Sequence, residues 1–596
     1  MSTESFHAPE TRVAPSSGTA RLRRYAPALF LVLSVTALIG QVLTISAQKL
    51  QPRYDEVAYM AVARSYQREG GIVGTIRCHL QGRCVEDNRS PVFEMALQMV
   101  ASDSPKFYPV AKLFTLGTTL LVGLLGFLLA RRLFGTSVAV GTIAVLCLMP
   151  SLGEVSSRVL ADIMYAGIIL GAVYAIGACQ GRGTLAWLGT GALIGVAYLT
   201  KGNGHLLFPA LFCVGLHSHG RRLFRLSKPY AAVAAFLVVS AFLLYRNAIV
   251  FHGPFHNFND RLLWLDSWEE CWISLRDPEK YAAGLGLLFQ RHSLWDIGLR
   301  ALKGLGQTIG VAVYSAGLGV TSLKQPEAAQ TVASVVPRVI TGVGVVVLSI
   351  FGLRRALGNF GRRPHALAVA YTTFWFVLAF AAGQQGAGEI GVRYVLPLVV
   401  LLTPYAVLFA VEGAWPRVKS FAAGALGSAL DRAAVLALTV VLVVKVVWFG
   451  SAVRTDPLAS VVVPPAWGRT SQWFATHLAA GERFAFPYTS LYSTFDQPFP
   501  EPDQRWIYLY RLRPDIMRRD LDRGLRSSID ASLVGPAGPI DKIFVDMDDT
   551  SLSSYRDKLS ERSDALGPLA FLDWSRCFAD GGTPSRFLVF CRPTAR

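Results

Sequence analysis

Two adjacent carboxylates, Asp55 and Glu56, sit in the run Gln51-Pro-Arg-Tyr-Asp-Glu-Val-Ala-Tyr-Met-Ala-Val-Ala-Arg64. From Asp55 onward the run is proline-free and amphipathic, a pattern that predicts a helix lying along a membrane surface. Asp55 stands near its N-terminus, where the helix dipole favours a carboxylate. Tyr59 follows one turn later on the same face. A carboxylate so placed can take a proton from an attacking hydroxyl, or it can simply cap an interfacial helix.

Cations form the second set. Lys201 lies between two apolar runs beside Gly202 and Gly204. An ionisable group in such surroundings costs about 2.5–3.5 kcal/mol on insertion scales and marks a functional candidate. The glycines would let a phosphate approach the backbone. Arg246 and Arg393 stand at the ends of apolar runs, where the plain alternative is an anchor that snorkels to the interface. Arg158 precedes Asp162 by one helical turn, so the two could instead form an ion pair. His252, His256 and Asp260 are spaced four apart, which on a helix would face one metal. Gly253 and Pro254 spoil that helix, so no metal site is expected and His256 reads as a loop histidine near an acceptor. Lys445 sits in the middle of the last apolar run, with no role assigned.

The elements that must position these groups are mostly apolar. The chain has 596 residues, 52% hydrophobic and 16% charged, with a mean hydropathy of +0.39. A soluble domain carries about 25% charged residues, so lipid is the expected solvent. Apolar runs place spans near 25–47, 107–130, 136–150, 159–179, 185–200, 203–217, 229–250, 332–353, 365–383, 392–411 and 433–450. The runs 136–150, 185–200 and 203–217 are short enough to be half-spans or tilted pairs. The Gly-rich stretch 302–323 is left outside as a re-entrant or interfacial piece.

The net charge of +18 is unevenly spread. Six connections (1–24, 131–135, 180–184, 218–228, 354–364 and 412–432) hold 18 basic and 4 acidic residues. The tail 451–596 holds 18 of each. By the positive-inside rule the six face the cytoplasm. The excess therefore reports membrane insertion and not nucleic-acid binding. The organisation expected is a cytoplasmic tail 1–24, a membrane domain 25–450 with outer loops 48–106 and 246–331, and an extracytoplasmic α/β domain 451–596. In the latter a helix near 466–479 and strands near 483–487, 542–545 and 586–590 are expected. The first apolar run is too long for a cleaved signal, so it reads as a retained span of the cell membrane. Cys78 with Cys84, and Cys577 with Cys591, could each be a disulfide on the outer side. Zinc ligation by Cys78, His79 and Cys84 fits no standard spacing.

The Tyr54-Asp-Glu-x-x-Tyr59 run directly after the first span resembles the first-loop signature of GT-C glycosyltransferases. The closest likeness is to the GT39-like branch of protein O-mannosyltransferases and aminoarabinose transferases. Arg158-Val-Leu-Ala-Asp162, Ala197-Tyr-Leu-Thr-Lys201-Gly-Asn-Gly and Val392-Arg393-Tyr-Val-Leu-Pro397 follow in the same order, and Arg246-Asn247 is a looser match. The resemblance covers about residues 25–450. It implies a GT-C-like bundle of about 11–13 transmembrane helices. It also implies an inverting transfer of sugar from a polyprenyl-phosphate donor to a hydroxyl on a glycan, lipid or protein, at the outer face. On that reading Asp55 is the base, and Glu56 beside it positions the acceptor or pairs with a cation. Lys201, Arg246, Arg393, Arg158, Asp162, Tyr59 and His256 line the donor and substrate site. No cofactor is required. The alternatives are a transporter or flippase of lipid-linked glycans, or a polymerase or ligase of the O-antigen type. No nucleotide-binding fingerprint is present.

Overall fold

The computed structural model describes residues 17–48, 55–84, 89–102, 106–257, 263–265, 284–319, 332–387, 391–421, 433, 436–437 and 439–447, and seven short strands of the tail. Helix α1 (Ser17–Gln48) carries the first apolar run. Three short helices follow: α2 (Asp55–Arg68), α3 (Gly71–Leu80) and α4 (Pro91–Leu97). The acidic first turn of α2 is Asp55 and Glu56, and α4 begins with a proline at its first position, where no amide donor is needed. The bundle continues with α5 (Phe107–Phe134), α6 (Thr136–Leu148), α7 (Pro150–Ser156), α8 (Asp162–Cys179), α9 (Thr184–Thr200), α10 (Leu207–His219) and α11 (Ser227–Phe251). After it come α12 (Leu285–Arg291), α13 (Leu294–Ala316), α14 (Val332–Leu357), α15 (Arg363–Ala387), α16 (Val392–Phe409) and α17 (Trp415–Phe421).

Among the described residues seven helices are long and apolar enough to cross a membrane, and the bent pair α6–α7 makes an eighth if counted as one span. Eleven spans are expected from the sequence; of the four runs outside these seven, three are the short ones and the fourth, 433–450, is only partly described. The run 136–150 ends at Met149, whose extended backbone before Pro150 breaks the helix and turns α7 by 70°. The runs 185–200 and 203–217 become α9 and α10, which fold back on one another. Trp187, near the start of α9, packs against Gly215 and His219 near the end of α10. Of the run 433–450, residues 439–447 are described as a helix.

The stretch 302–323 differs from a re-entrant loop. Most of it lies in α13, a continuous 23-residue amphipathic helix packed on α14, α15 and α16. Ser293 caps it reciprocally with Asp296, whose amide donates to the Ser293 hydroxyl at 3.2 Å.

Cys78 and Cys84 are joined as a disulfide, with Cα atoms 5.5 Å apart. This removes them as zinc ligands, and the His79 ring between them bonds the Tyr66 hydroxyl at 3.1 Å. In the tail, strands β1 (Phe484–Phe486), β2 (Trp506–Tyr508), β5 (Lys542–Asp546), β6 (Ser575–Ala579) and β7 (Phe587–Cys591) form one sheet in the order β2-β1-β5-β7-β6. The β2-β1-β5 pairs are parallel and the β5-β7-β6 pairs antiparallel. A hairpin pairs β3 (Val534–Gly535) with β4 (Gly538–Pro539). Three of these strands fall where they are expected. Cys577 and Cys591 stand on neighbouring strands, but their side chains lie outside the described residues, as does the helix near 466–479.

Gly202 and Gly204 form the tight tip between α9 and α10. A Cβ on Gly204 would lie 2.3 Å from the carbonyl carbon of Ala197, and one on Gly202 would strike the Asn257 amide. The glycines therefore let the chain close tightly at the tip. Gly204→Ala should lower the thermal midpoint in detergent, by the equivalent of about 1–3 kcal/mol for overpacking. An unchanged midpoint would show that the tip is looser than this.

Candidate active site

The tip carries Lys201 to the N-terminal end of α8. There its ammonium meets Asp162, the first residue of α8, at 2.5 Å. The Lys201 Nζ also lies 4.5 Å from the Tyr394 ring centroid and 5.9 Å from that of Tyr165. These aromatic faces supplement the ion pair. The next link is Arg393, in the first turn of α16. One of its amines donates to the Tyr394 hydroxyl at 2.7 Å, and the other meets Asp55 Oδ2 at 2.5 Å. Asp55 Oδ1 is held in turn by Arg89 at 3.0 Å. The guanidinium of Arg89 lies over the Tyr59 ring, which packs edge-on against Phe93 of α4.

The result is a continuous line of groups, Arg89–Asp55–Arg393–Tyr394–Lys201–Asp162, with three cations and two carboxylates. It draws one residue or pair from each of α2, the segment before α4, α16, the α9–α10 tip and α8. Burial alone would raise the Asp55 carboxyl, but the charges and hydrogen bonds of Arg393 and Arg89 outweigh it. They hold Asp55 far below the usual carboxylate range. Burial, with the neighbouring carboxylates, pushes the Tyr59 phenol well up, so it stays protonated.

Five sequence candidates therefore come together: Asp55, Tyr59, Asp162, Lys201 and Arg393. Four do not join the line. Glu56 is buried behind it, where Oε1 accepts from the Tyr108 hydroxyl at 3.2 Å and from the Val159 amide at 2.9 Å. It ties α2 to α5 and to the segment that leads into Asp162. Arg158 pairs with Glu154 at 3.3 Å and not with Asp162, because the chain between 157 and 161 is not helical. Arg246 is buried and donates to the Cys84 carbonyl at 2.9 Å, anchoring the disulfide turn on α11. His256 stacks on Phe251, ring centroids 4.3 Å apart, and its carbonyl accepts from Asn247. His252 occupies a left-handed backbone position, and Asp260 lies outside the described residues.

Arg89, Tyr394 and Tyr165 escape the sequence reading. Arg89 is 34 residues from its partner, and only its place before a proline-started apolar helix hints at it. Tyr394 could have been nominated from its place beside Arg393. No group of three or more metal-ligating side chains occurs among the described residues. Lys445, expected in mid-span, is fully buried where α6 breaks, and donates to the Cys147 carbonyl at 2.5 Å. An apolar cavity lined by Leu133, Tyr174, His365 and Tyr405 shares no residue with the charged line.

Two predictions concern this geometry. Glu56→Ala strands the Tyr108 hydroxyl and the Val159 amide, and should cost about 2–3 kcal/mol in a thermal or denaturant titration. A loss under about 0.5 kcal/mol would mean the packing of α2 on α5 does not depend on it. The second is a pH signature. Asp55 has a depressed carboxyl, so its stabilising contribution is present above the ordinary value of 3.8 and lost only as pH falls through its lower folded value. The midpoint difference between the wild type and Asp55→Asn should therefore persist from pH 7 down to about pH 4. A difference that disappears by pH 5 would contradict the double arginine clamp.

Residues 107–245 match the family described as dolichyl-phosphate-mannose-protein mannosyltransferase. A search of curated proteins finds no match. Among solved structures, the chain is similar to ArnT from Cupriavidus metallidurans bound to undecaprenyl phosphate. The identity is 15% and the TM-score 0.45, over 97% of this chain and 99% of that one. It is also similar to the archaeal oligosaccharyltransferase AglB from Archaeoglobus fulgidus, in complex with an inhibitory peptide and a dolichol-phosphate. There the identity is 11% and the TM-score 0.46, over 90% of this chain and 71% of that one. The family match spans α5 to most of α11, a segment that contains Asp162 and Lys201 of the charged line.

Proposed function

We propose that this chain transfers a sugar from a polyprenyl-phosphate donor to an acceptor hydroxyl, at the outer face of the cell membrane. The observation that carries this reading is the line of three cations around Asp55. It lies at the end of the bundle where α2 meets the start of α8 and the tip after Lys201. A lipid phosphate needs cations at the edge of the apolar region, where its prenyl chain can stay in lipid. Lys201 and Arg393 meet that need. The N-terminus and the six basic connections face the cytoplasm on this reading, and the tail sheet faces outward.

The step proposed is a single displacement. The acceptor oxygen attacks the anomeric carbon while the bond from that carbon to the phosphate oxygen breaks. The leaving polyprenyl phosphate keeps the electron pair, and its growing charge is met by Lys201 and Arg393. The acceptor proton passes to Asp55. Attack opposite the phosphate inverts the anomeric carbon. Glu56 acts by fixing α2, and Asp162 by holding Lys201. Acceptor classes consistent with the sequence are a cell-envelope glycan, a lipid or a secreted protein.

Purified protein in detergent, given a polyprenyl-phosphate sugar and an envelope extract as acceptor, should transfer label. Asp55→Asn should lower the rate by about 10²–10⁴. Lys201→Ala should mainly raise the KM for the donor. Full activity of Asp55→Asn would remove the base assignment, and an unchanged donor KM in Lys201→Ala would remove the phosphate role.

A further inference from the structure

Every cation assigned to the lipid phosphate already holds a carboxylate. Lys201 is on Asp162, and Arg393 is on Asp55. A phosphate arriving here therefore competes with a carboxylate for the charge of one of these cations. The geometry decides which one. Asp162 is 1% exposed in its side chain, and its Oδ2 is buried with no hydrogen-bond partner among the described residues. Removing Lys201 would leave that carboxylate bare in apolar surroundings, which is strongly unfavourable. Asp55 is 22% exposed and has a second guanidinium, Arg89, to keep its charge balanced. Arg89 is 3% exposed and pinned over Tyr59, whereas Arg393 is 26% exposed. The Asp55–Arg393 pair is thus the one that can open at least cost, and Arg393 is the member that can turn.

We propose that the lipid phosphate and the Asp55 carboxylate compete for Arg393, so that donor binding draws this guanidinium off Asp55 while Arg89 stays. This deepens the reading of the site as one for a lipid phosphate and rests on it. With one guanidinium in place of two, Asp55 becomes a stronger proton acceptor only once the donor is seated. The same exchange brings Arg393 to the phosphate whose charge grows during transfer. Acceptor activation is in this way coupled to donor occupancy, by the movement of a single side chain.

The competition has a consequence that a merely structural Asp55 would not have. Full-length protein in detergent is titrated with polyprenyl phosphate, which carries no sugar and does not turn over. Asp55→Asn removes the competitor and keeps the shape, so it should bind this lipid roughly ten-fold more tightly than the wild type. In an Arg393→Gln background the gain from Asp55→Asn should vanish. Equal or weaker binding by Asp55→Asn would overturn the proposal, as would a gain that survives in Arg393→Gln. If Asp55→Asn does not fold, the wild type is read by infrared spectroscopy with isotope-labelled aspartate. Polyprenyl phosphate should shift an ionised carboxylate band, and that shift should be absent in Arg393→Gln. No shift in the wild type overturns the exchange. Inorganic phosphate at equal concentration should displace little of the lipid, and equal displacement would argue against a lipid phosphate as the competitor. Failure of polyprenyl phosphate to bind the wild type and Asp55→Asn alike would sink the reading of the site itself, a result distinct from binding without competition.

Discussion

A charge surrounded by apolar side chains must be paired or it is not tolerated, and this constraint sets the geometry of the Asp55 end of the bundle. Helix α8 packs on α9 and on α16 mainly through apolar faces, which by themselves allow sliding and rotation. The pairs Lys201–Asp162 and Arg393–Asp55 do not allow it. Each fixes the end of one helix against another element, and Arg89 extends the constraint to the segment before α4. The chemistry proposed for the site uses the same groups that align it.

The constraint recurs elsewhere as a way of closing helix C-termini. The last carbonyls of a helix lack intrahelical donors and carry the negative end of the dipole. Lys112 donates to Ser46 near the end of α1, at 2.8 Å. Arg362 donates to Leu133 at the end of α5, at 3.1 Å, and Arg338 to Tyr314 at the end of α13, at 3.0 Å. Lys445 does the same at the end of α6. These four cations thus each meet a carbonyl at or near a helix end. At the Arg362 end of the bundle Glu412 accepts from both Arg355 and Arg362.

Much of this was legible in the sequence because it is local. The long apolar runs of α1, α5, α11 and α14 to α16 need only length and composition. The start of α2 at Asp55 follows from an acidic first turn after a proline. The hidden part is pairing over distance. Arg158 and Asp162 have the spacing of helical neighbours, yet α8 begins only at Asp162, so the spacing carries no contact. Lys201 finds Asp162 from 39 residues away. Glu56 and Asp55 are equivalent by composition, and only packing separates them, since one faces Tyr108 and Val159 and the other faces the arginines. Gly202 and Gly204 also have partners over distance or in the folded tip, since the Cβ direction of each is occupied, by Asn257 and by the backbone of Ala197.

The central claim is that Lys201 and Arg393 together form the seat of a lipid phosphate. Native mass spectrometry of the detergent-purified chain with polyprenyl phosphate tests it most directly. The account predicts a one-to-one adduct on the wild type, weakened by Lys201→Ala or Arg393→Gln alone and lost when both are changed in a folded protein. An adduct that survives the double substitution undiminished would contradict it.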